Sequence, residues 1–275
     1  RIGDRQYSFA EKQASAEHFC QVEKLFERGL EILKTNTMAM TSFIRMNKAF
    51  DEYYENKLEG ESIKTSNRPS WRLFQIVFII SSLRSLVNDE DLDCVDILHV
   101  ATGGGKSEAY FGLTIFSMFL ERLRGKKNGV TAIVKFPLRM LSVQQLERLS
   151  SVIIYAEKVR KEYITEFGGD EFSLGYYVGN SDDDFPDYYY KQKKKLYEDN
   201  QCSIIRKPAP ISKIISKCPL CSGKQRGNVR LVDDDNGKRI LHVCDSDPTH
   251  VFFIYLSDRE IFRYRPTVIV STVDK

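Results

Sequence analysis

The stretch Ala101-Thr102-Gly103-Gly104-Gly105-Lys106-Ser107 constrains this chain more than any other, because it lies between a short apolar run, Val95 to Val100, and a helical pattern that follows at once. Glycine reaches positive φ at little steric cost and carries no side chain, so a glycine run here can turn its amide N–H groups inward around an anion. The helix after it brings the positive end of its dipole to the same place. Lys106 is then placed to reach the β- and γ-phosphates of a nucleotide, and the Ser107 hydroxyl to ligate Mg²⁺. Ala109, Leu113, Phe116, Leu120 and Leu123 recur at helical spacing, the signature of one buried face. The strict phosphate-loop pattern asks for glycine where this chain has Val100, and the plain alternative is a glycine-rich turn that only joins strand to helix.

Strands and helices alternate around this loop. Val95 to Val100, Val130 to Phe136 and Phe172 to Val178 read as strands, with helices over Ser107 to Leu123 and Leu141 to Tyr163. That order implies parallel pairing with helices on the sheet faces, an α/β fold. Upstream, Ser8 to about Tyr54 is helical in pattern, through Phe19, Val22, Phe26, Leu30 and Leu33 and then Phe43, Met46 and Phe50. Glu59 to Ser70 reads as a linker before a further helix opening near Trp71. After Gly179 the alternation stops: Ser181 to Lys217 is polar and charged, Cys218 to His250 holds short strand-like runs such as Ile240 to Val243, and Val268 to Ser271 resumes a buried strand. The expected organisation is a helical extension over 1–66, an α/β lobe over 67–180 and 251–275, and an insertion over 181–250. No internal repeat or low-complexity tract is seen. A chain opening on Arg1 and stopping at Lys275, straight after a strand-like run, reads as part of something longer.

Composition narrows the class. With 275 residues, 42% hydrophobic and 29% charged, the chain has ordinary globular usage, and a net charge of +3 is too mild to imply a nucleic-acid partner by itself. Six cysteines are too sparse for a disulfide scaffold, which makes the cytoplasm the natural home, and no apolar run approaches a membrane span. Two of the cysteines form Cys218-Pro219-Leu220-Cys221, with Cys244 and then His250 downstream. Two close thiolates with a second Cys/His pair suit a closed, structural Zn²⁺ site that staples a small insertion. Cys218, Cys221 and Cys244 are three ligands. The fourth is open between His250, which is favoured, and His242 or Cys202, and three buried thiols without metal are the plain alternative.

Several segments resemble the superfamily 2 helicases. Val100 to Ser107 looks like their motif I, in which the first strict glycine is commonly replaced. Trp71-Arg72-Leu73-Phe74-Gln75 resembles their adenine-reading Q motif, with Gln75 both donating to and accepting from the base edge. Phe136-Pro137-Leu138-Arg139-Met140-Leu141 with Gln144 looks like motif Ia, in which Arg139 would hold a nucleic-acid phosphate, and Pro266 to Lys275 resembles the strand and loop that carry another backbone contact through Thr272. Phe43 to Asn47, Thr102 to Tyr110, the Cys218 to Cys221 segment, and Arg263-Tyr264-Arg265-Pro266 leading into Ser271 to Lys275 are together similar to the helicase subunit of DISARM-type phage-defence systems. The resemblance implies a three-layer RecA-like first motor lobe that binds ATP through Thr102 to Ser107 and Gln75. It further implies Lys106 and Ser107 in the chemistry, DNA as partner, a second RecA-like lobe outside this span, and a partner subunit of a defence complex.

Hydrolysis also needs an acidic pair at a strand's carboxyl end. Asp170-Glu171 precedes its strand, Asp89-Glu90 precedes the glycine loop, Asp51-Glu52 lies in the helical extension, and Asp274 ends a strand whose apolar run is interrupted by Ser271 and Thr272. The span is therefore expected to bind nucleotide and turn it over poorly. Asp182 to Lys195, with its tyrosines and lysines, reads as a solvated loop or a single-strand contact, and His99 as a packed core histidine. Two rivals stand beside the motor: a nucleotide-gated scaffold, and a zinc-dependent DNA-binding module on an inert lobe.

Overall fold

The computed structural model describes residues 9–61, 70–101, 103–137, 139–178, 214–221, 226–234 and 239–273. They fall into two compact units, Arg1–Thr41 with Ser70–Leu113, and Ser42–Pro69 with Thr114–Lys275.

The first unit is helical. Helix α1 (Phe9–Thr35) ends at Asn36, whose Oδ1 accepts the Ala39 N–H at 3.0 Å and so opens α2 (Thr37–Glu61), a helix that continues into the second unit. Helices α3 (Leu73–Ser81) and α4 (Leu83–Asn88) pack against α1, and the first half of α5 (Lys106–Leu123) completes the unit. Asp89, at φ 54°, stops α4 in the left-handed region.

The strand expected over Val95 to Val100 does not form. Arg84, buried on α4, donates to Asp91 Oδ2 at 2.8 Å and to Asp96 Oδ1 at 3.4 Å, pinning the segment by side chains. Val95 and Ile97, on either side of Asp96, remain 86% and 85% exposed. A strand exists only through backbone partners, and this segment has none among the described residues. His99 shares its exposure, which corrects the expectation of a core histidine.

The second unit holds an α/β sheet. Strands β1 (Ala132–Phe136), β2 (Leu174–Tyr177), β6 (Ile254–Tyr255) and β7 (Val268–Thr272) pair in the order β1-β7-β2-β6, every pair parallel. The inner strands β7 and β2 are largely buried on both faces, as parallel strands covered by helices are. Helix α6 (Arg139–Glu162) buries Leu146, Leu149, Val152, Ala156 and Val159 along one stripe. Phe119, in the second half of α5, meets Phe167 and Phe172 edge-on at 5.0 and 5.3 Å. Among the described residues no helix is long and apolar enough to cross a membrane.

A second, antiparallel sheet is made of β3 (Val229–Asp234), β4 (Arg239–Cys244) and β5 (Val251–Phe252). Strand β6 follows β5 directly and joins the parallel sheet, so the expected insertion is hinged to the sheet edge by two adjacent short strands. Helix α7 (Asp258–Tyr264), capped by the Ser257 hydroxyl, adds a tie: buried Glu260 accepts the Ile240 N–H of β4 at 2.8 Å.

One charged network lies in this core. Arg160 donates through Nε and Nη2 to Glu157 at 2.6 and 2.9 Å, both side chains are nearly fully buried, and Glu157 also accepts the Phe172 N–H at 2.9 Å. Arg160→Met strips buried Glu157 of both guanidinium bonds, leaving it the Phe172 N–H and the Lys161 ammonium at 3.9 Å, and is expected to cost roughly 3–5 kcal/mol in chemical denaturation. A cost below about 1 kcal/mol would show that the pair is dispensable.

Candidate nucleotide loop and metal centre

The glycine loop belongs to the first unit. Gly103 and Gly105 take positive φ, 79° and 89°, so the turn depends on residues without a Cβ. The Gly104 N–H donates to the Ala101 carbonyl at 3.1 Å, and Lys106, the first residue of α5, folds its ammonium back onto the Val100 carbonyl. The lysine therefore spans the loop it belongs to. Ser107 sits beside it in the first turn of the helix, half-buried. Thr102 lies outside the described residues.

Helix α3 holds this loop from one side. Arg72 donates from Nη1 to the Gly104 carbonyl at 2.7 Å, and Gln75 donates from Nε2 to the Gly105 carbonyl at 2.7 Å. The other end of the Gln75 carboxamide accepts the Arg72 N–H at 2.8 Å, which caps α3. The role of Arg72 is not visible in the sequence. Its only signal was adjacency to Gln75, and a contact across the gap to Gly104 leaves no local trace.

The second unit brings four ligand atoms together. The Sγ atoms of Cys218, Cys221 and Cys244 and a ring nitrogen of His250 all lie within 4.8 Å of one another. Cys221 Sγ is 3.6 Å from Cys244 Sγ, and His250 Nδ1 is 3.5 Å from Cys218 Sγ and 3.7 Å from Cys221 Sγ. A tetrahedral Zn²⁺ with ordinary bond lengths sets sulfur–sulfur edges of about 3.8 Å and sulfur–nitrogen edges of about 3.5 Å, so the donor set fits such an ion. The far ring nitrogen, Nε2, lies 3.5 Å from Asp247 Oδ2, the usual way of fixing a ligand imidazole's tautomer and orientation.

The electrostatics of the thiols are divided. Burial pushes the Cys218 thiol up to about 12, while the amides of Leu220 and Cys221 oppose that rise. Burial also works against ionising Cys244, yet the amides of Asp247 and Ser246 and the neighbouring thiols outweigh it and hold that thiol below its ordinary value. Amides donating to sulfur lower the cost of thiolates, the form a metal requires. A Cβ at Gly227 would lie 2.5 Å from Cys244 Sγ, so the chain opposite the site must be bare. The hairpin is moored as well: the Tyr155 hydroxyl on α6 donates to the Pro219 carbonyl at 2.6 Å, and Asn56 on α2 donates to the Cys221 carbonyl at 3.4 Å.

Of the ligand alternatives, His242 faces elsewhere. It is fully buried on β4, neither ring nitrogen has a partner among the described residues, and burial lowers its pKa to about 3, which keeps it neutral. Cys202, Asp182 to Lys195, and Asp274 lie outside the described residues. Arg139 opens α6, and Thr272 ends β7 with its hydroxyl buried and unpartnered among the described residues. Asp170 and Glu171 precede β2, and Asp51 and Glu52 lie on α2, as expected.

Residues 76–176, which include the glycine loop, α5, β1, α6 and most of β2, match the family model for the DEAD/DEAH box helicases. Over that span the chain is similar to the DEAD/DEAH box helicases. It is also 32% identical over 282 aligned residues to DISARM protein DrmA of Bacillus paralicheniformis, an alignment covering 90% of this chain. The chain spans about a quarter of that relative's length, 24%. No solved structure matches it. These similarities bear out the resemblance to helicases, and the parallel sheet with flanking helices fits a RecA-like α/β fold.

Proposed function

We propose that this chain is the ATP-binding first lobe of a superfamily 2 DNA helicase or translocase acting in phage defence. The observation that carries the reading is the glycine loop with Lys106 at the start of α5, inside the span that matches the helicase family. Thr102 to Ser107 hold the triphosphate, Lys106 neutralises its β- and γ-phosphates, and Ser107 ligates Mg²⁺. Arg139 and Thr272 contact the DNA backbone. Residues 1–66 are the helical extension, 67–180 and 251–275 the lobe, and 181–250 an insertion stapled by Zn²⁺ on Cys218, Cys221, Cys244 and His250. A second RecA-like lobe and an acidic pair for hydrolysis belong to the rest of a longer protein, in which ATP turnover moves one lobe against the other. A defence complex supplies the partner subunit, in the cytoplasm.

The test is ATP hydrolysis by the full-length protein with and without DNA. A motor gives hydrolysis that DNA stimulates about tenfold or more. Hydrolysis indifferent to DNA would replace the motor with a nucleotide-gated scaffold.

A further inference from the structure

We infer that a polar cavity at the amino ends of the parallel strands binds a phosphate group that still carries a proton, as free hydrogen phosphate or as a monoester. The cavity lies wholly within the second unit and does not depend on the nucleotide reading.

The cavity measures about 180 Å³, and Arg122, Asp170, Glu171, Ser173, Arg265 and Thr267 are on its wall. Ser173 and Thr267 immediately precede β2 and β7. Thr272 closes β7 five residues further on, and a strand of that length spans about 17 Å, so the cavity is remote from the proposed DNA contact there. The volume is that of about six waters, room for a five-atom tetrahedral ion but not for a nucleotide. Asp170 and Arg265 are exposed, which opens the cavity to solvent on their side.

Donors on this wall lack acceptors. Arg122 is 7% exposed, and its terminal nitrogens donate to the Lys126 and Asp170 carbonyls at 2.7 and 2.9 Å, but its Nε is buried with no partner among the described residues. A buried N–H left in that state costs about 1–3 kcal/mol, which marks a place where an acceptor is wanted. Arg160 adds to the need: the two guanidinium carbons lie 5.2 and 5.8 Å from the centre of the same Phe172 ring. Burial and then Arg160 push the Arg122 pKa below its ordinary value, outweighing Asp170 and Glu157, so negative charge is still short at this position. Ser173 and Thr267, both buried, each offer a hydroxyl oxygen to the other's amide, at 3.2 Å into Thr267 Oγ1 and 3.3 Å into Ser173 Oγ. That use occupies the oxygens and leaves both O–H protons to donate. Arg265 brings a further guanidinium to the mouth, whereas Arg239 is engaged by Asp234 at 3.0 Å.

The two carboxylates decide which anion fits. Asp170 and Glu171 repel an oxyanion that has lost every proton, and they accept a hydrogen bond from one that has not. A phosphate monoester gives up its last proton only near about pH 6, and inorganic phosphate somewhat higher, so a P–OH is on hand close to neutral pH. Sulfate and the phosphodiesters of a nucleic-acid backbone carry no such proton. The same pair of residues therefore welcomes protonated phosphate and turns both of the others away.

The experiment is titration calorimetry near pH 6.5 with inorganic phosphate and with sulfate, on full-length protein carrying Lys106→Ala so that the glycine loop does not compete. Phosphate is expected to bind with a dissociation constant of about 1 mM or tighter, and sulfate at least about tenfold more weakly. Asp170→Asn with Glu171→Gln is expected to bring the two anions within about twofold of each other. Arg265→Gln, at an exposed side chain, is expected to weaken phosphate by about threefold or more with the melting temperature unchanged. A single-stranded oligonucleotide with and without a 5′-phosphate separates the two sources. A preference for the phosphorylated strand that Arg265→Gln abolishes assigns the cavity to strand ends, and equal binding of the two strands assigns it to the free ion. Sulfate binding as tightly as phosphate before Asp170 and Glu171 are changed, or no phosphate binding at about 10 mM, would overturn the inference.

Discussion

Lys106→Ala is expected to lower nucleotide affinity at least about a hundredfold, because it removes the ammonium that neutralises the transferred end of the triphosphate in a partly desolvated loop. In the structure this ammonium already lies across the loop on the Val100 carbonyl, within reach of whatever the glycines enclose. The substitution leaves the turn intact, since the positive φ values at Gly103 and Gly105 and the bonds from Arg72 and Gln75 do not involve the lysine side chain. The loss should therefore appear without a matching fall in melting temperature. Titration calorimetry with ATP and Mg²⁺ reads the effect directly, and Lys106→Ala binding as tightly as the unmodified protein would dismantle the nucleotide reading.

The second large effect concerns the metal. One zinc per chain is expected by elemental analysis, and Cys244→Ser is expected to release it and lower the melting temperature by about 10 °C or more. The site lies at the β4–β5 end of the antiparallel sheet, and its Cys218–Cys221 segment is bonded to α6 through Tyr155 and to α2 through Asn56. Without the ion the three sulfurs and the imidazole lose their common partner, and those moorings hold a loop with little apolar core of its own. Gly227→Ala acts from the other side by driving a methyl group into the space of Cys244 Sγ, and should likewise weaken zinc retention. Less than about half a zinc per chain in the unmodified protein would favour three packed thiols over a metal centre.

Much of this was legible locally. Helices α5 and α6 announce themselves by apolar residues three and four apart, and β2 and β7 by short β-branched and aromatic runs, because helix period and strand burial are written into neighbouring positions. The CxxC pair, a later cysteine and a nearby histidine are similarly a chemical signature with few other uses. What failed was the strand before the glycine loop. Val95 to Val100 has the composition of a strand, but composition cannot supply a backbone partner, and Arg84 on α4 claims Asp96 from twelve residues away.

Sequence alone therefore determined the α/β character, the glycine loop with its lysine, and the set of residues from which a metal site could be drawn. Tertiary structure decided which of them meet. His250 reaches the sulfurs and His242 does not, because β4 turns the latter into the core while the loop after it returns the former beside Asp247. Gln75 faces a loop carbonyl, because α3 lies alongside Gly104 and Gly105. Ligand choice and hydrogen bonding turn on differences below an ångström between residues far apart in the chain, and local periodicity carries no record of such distances.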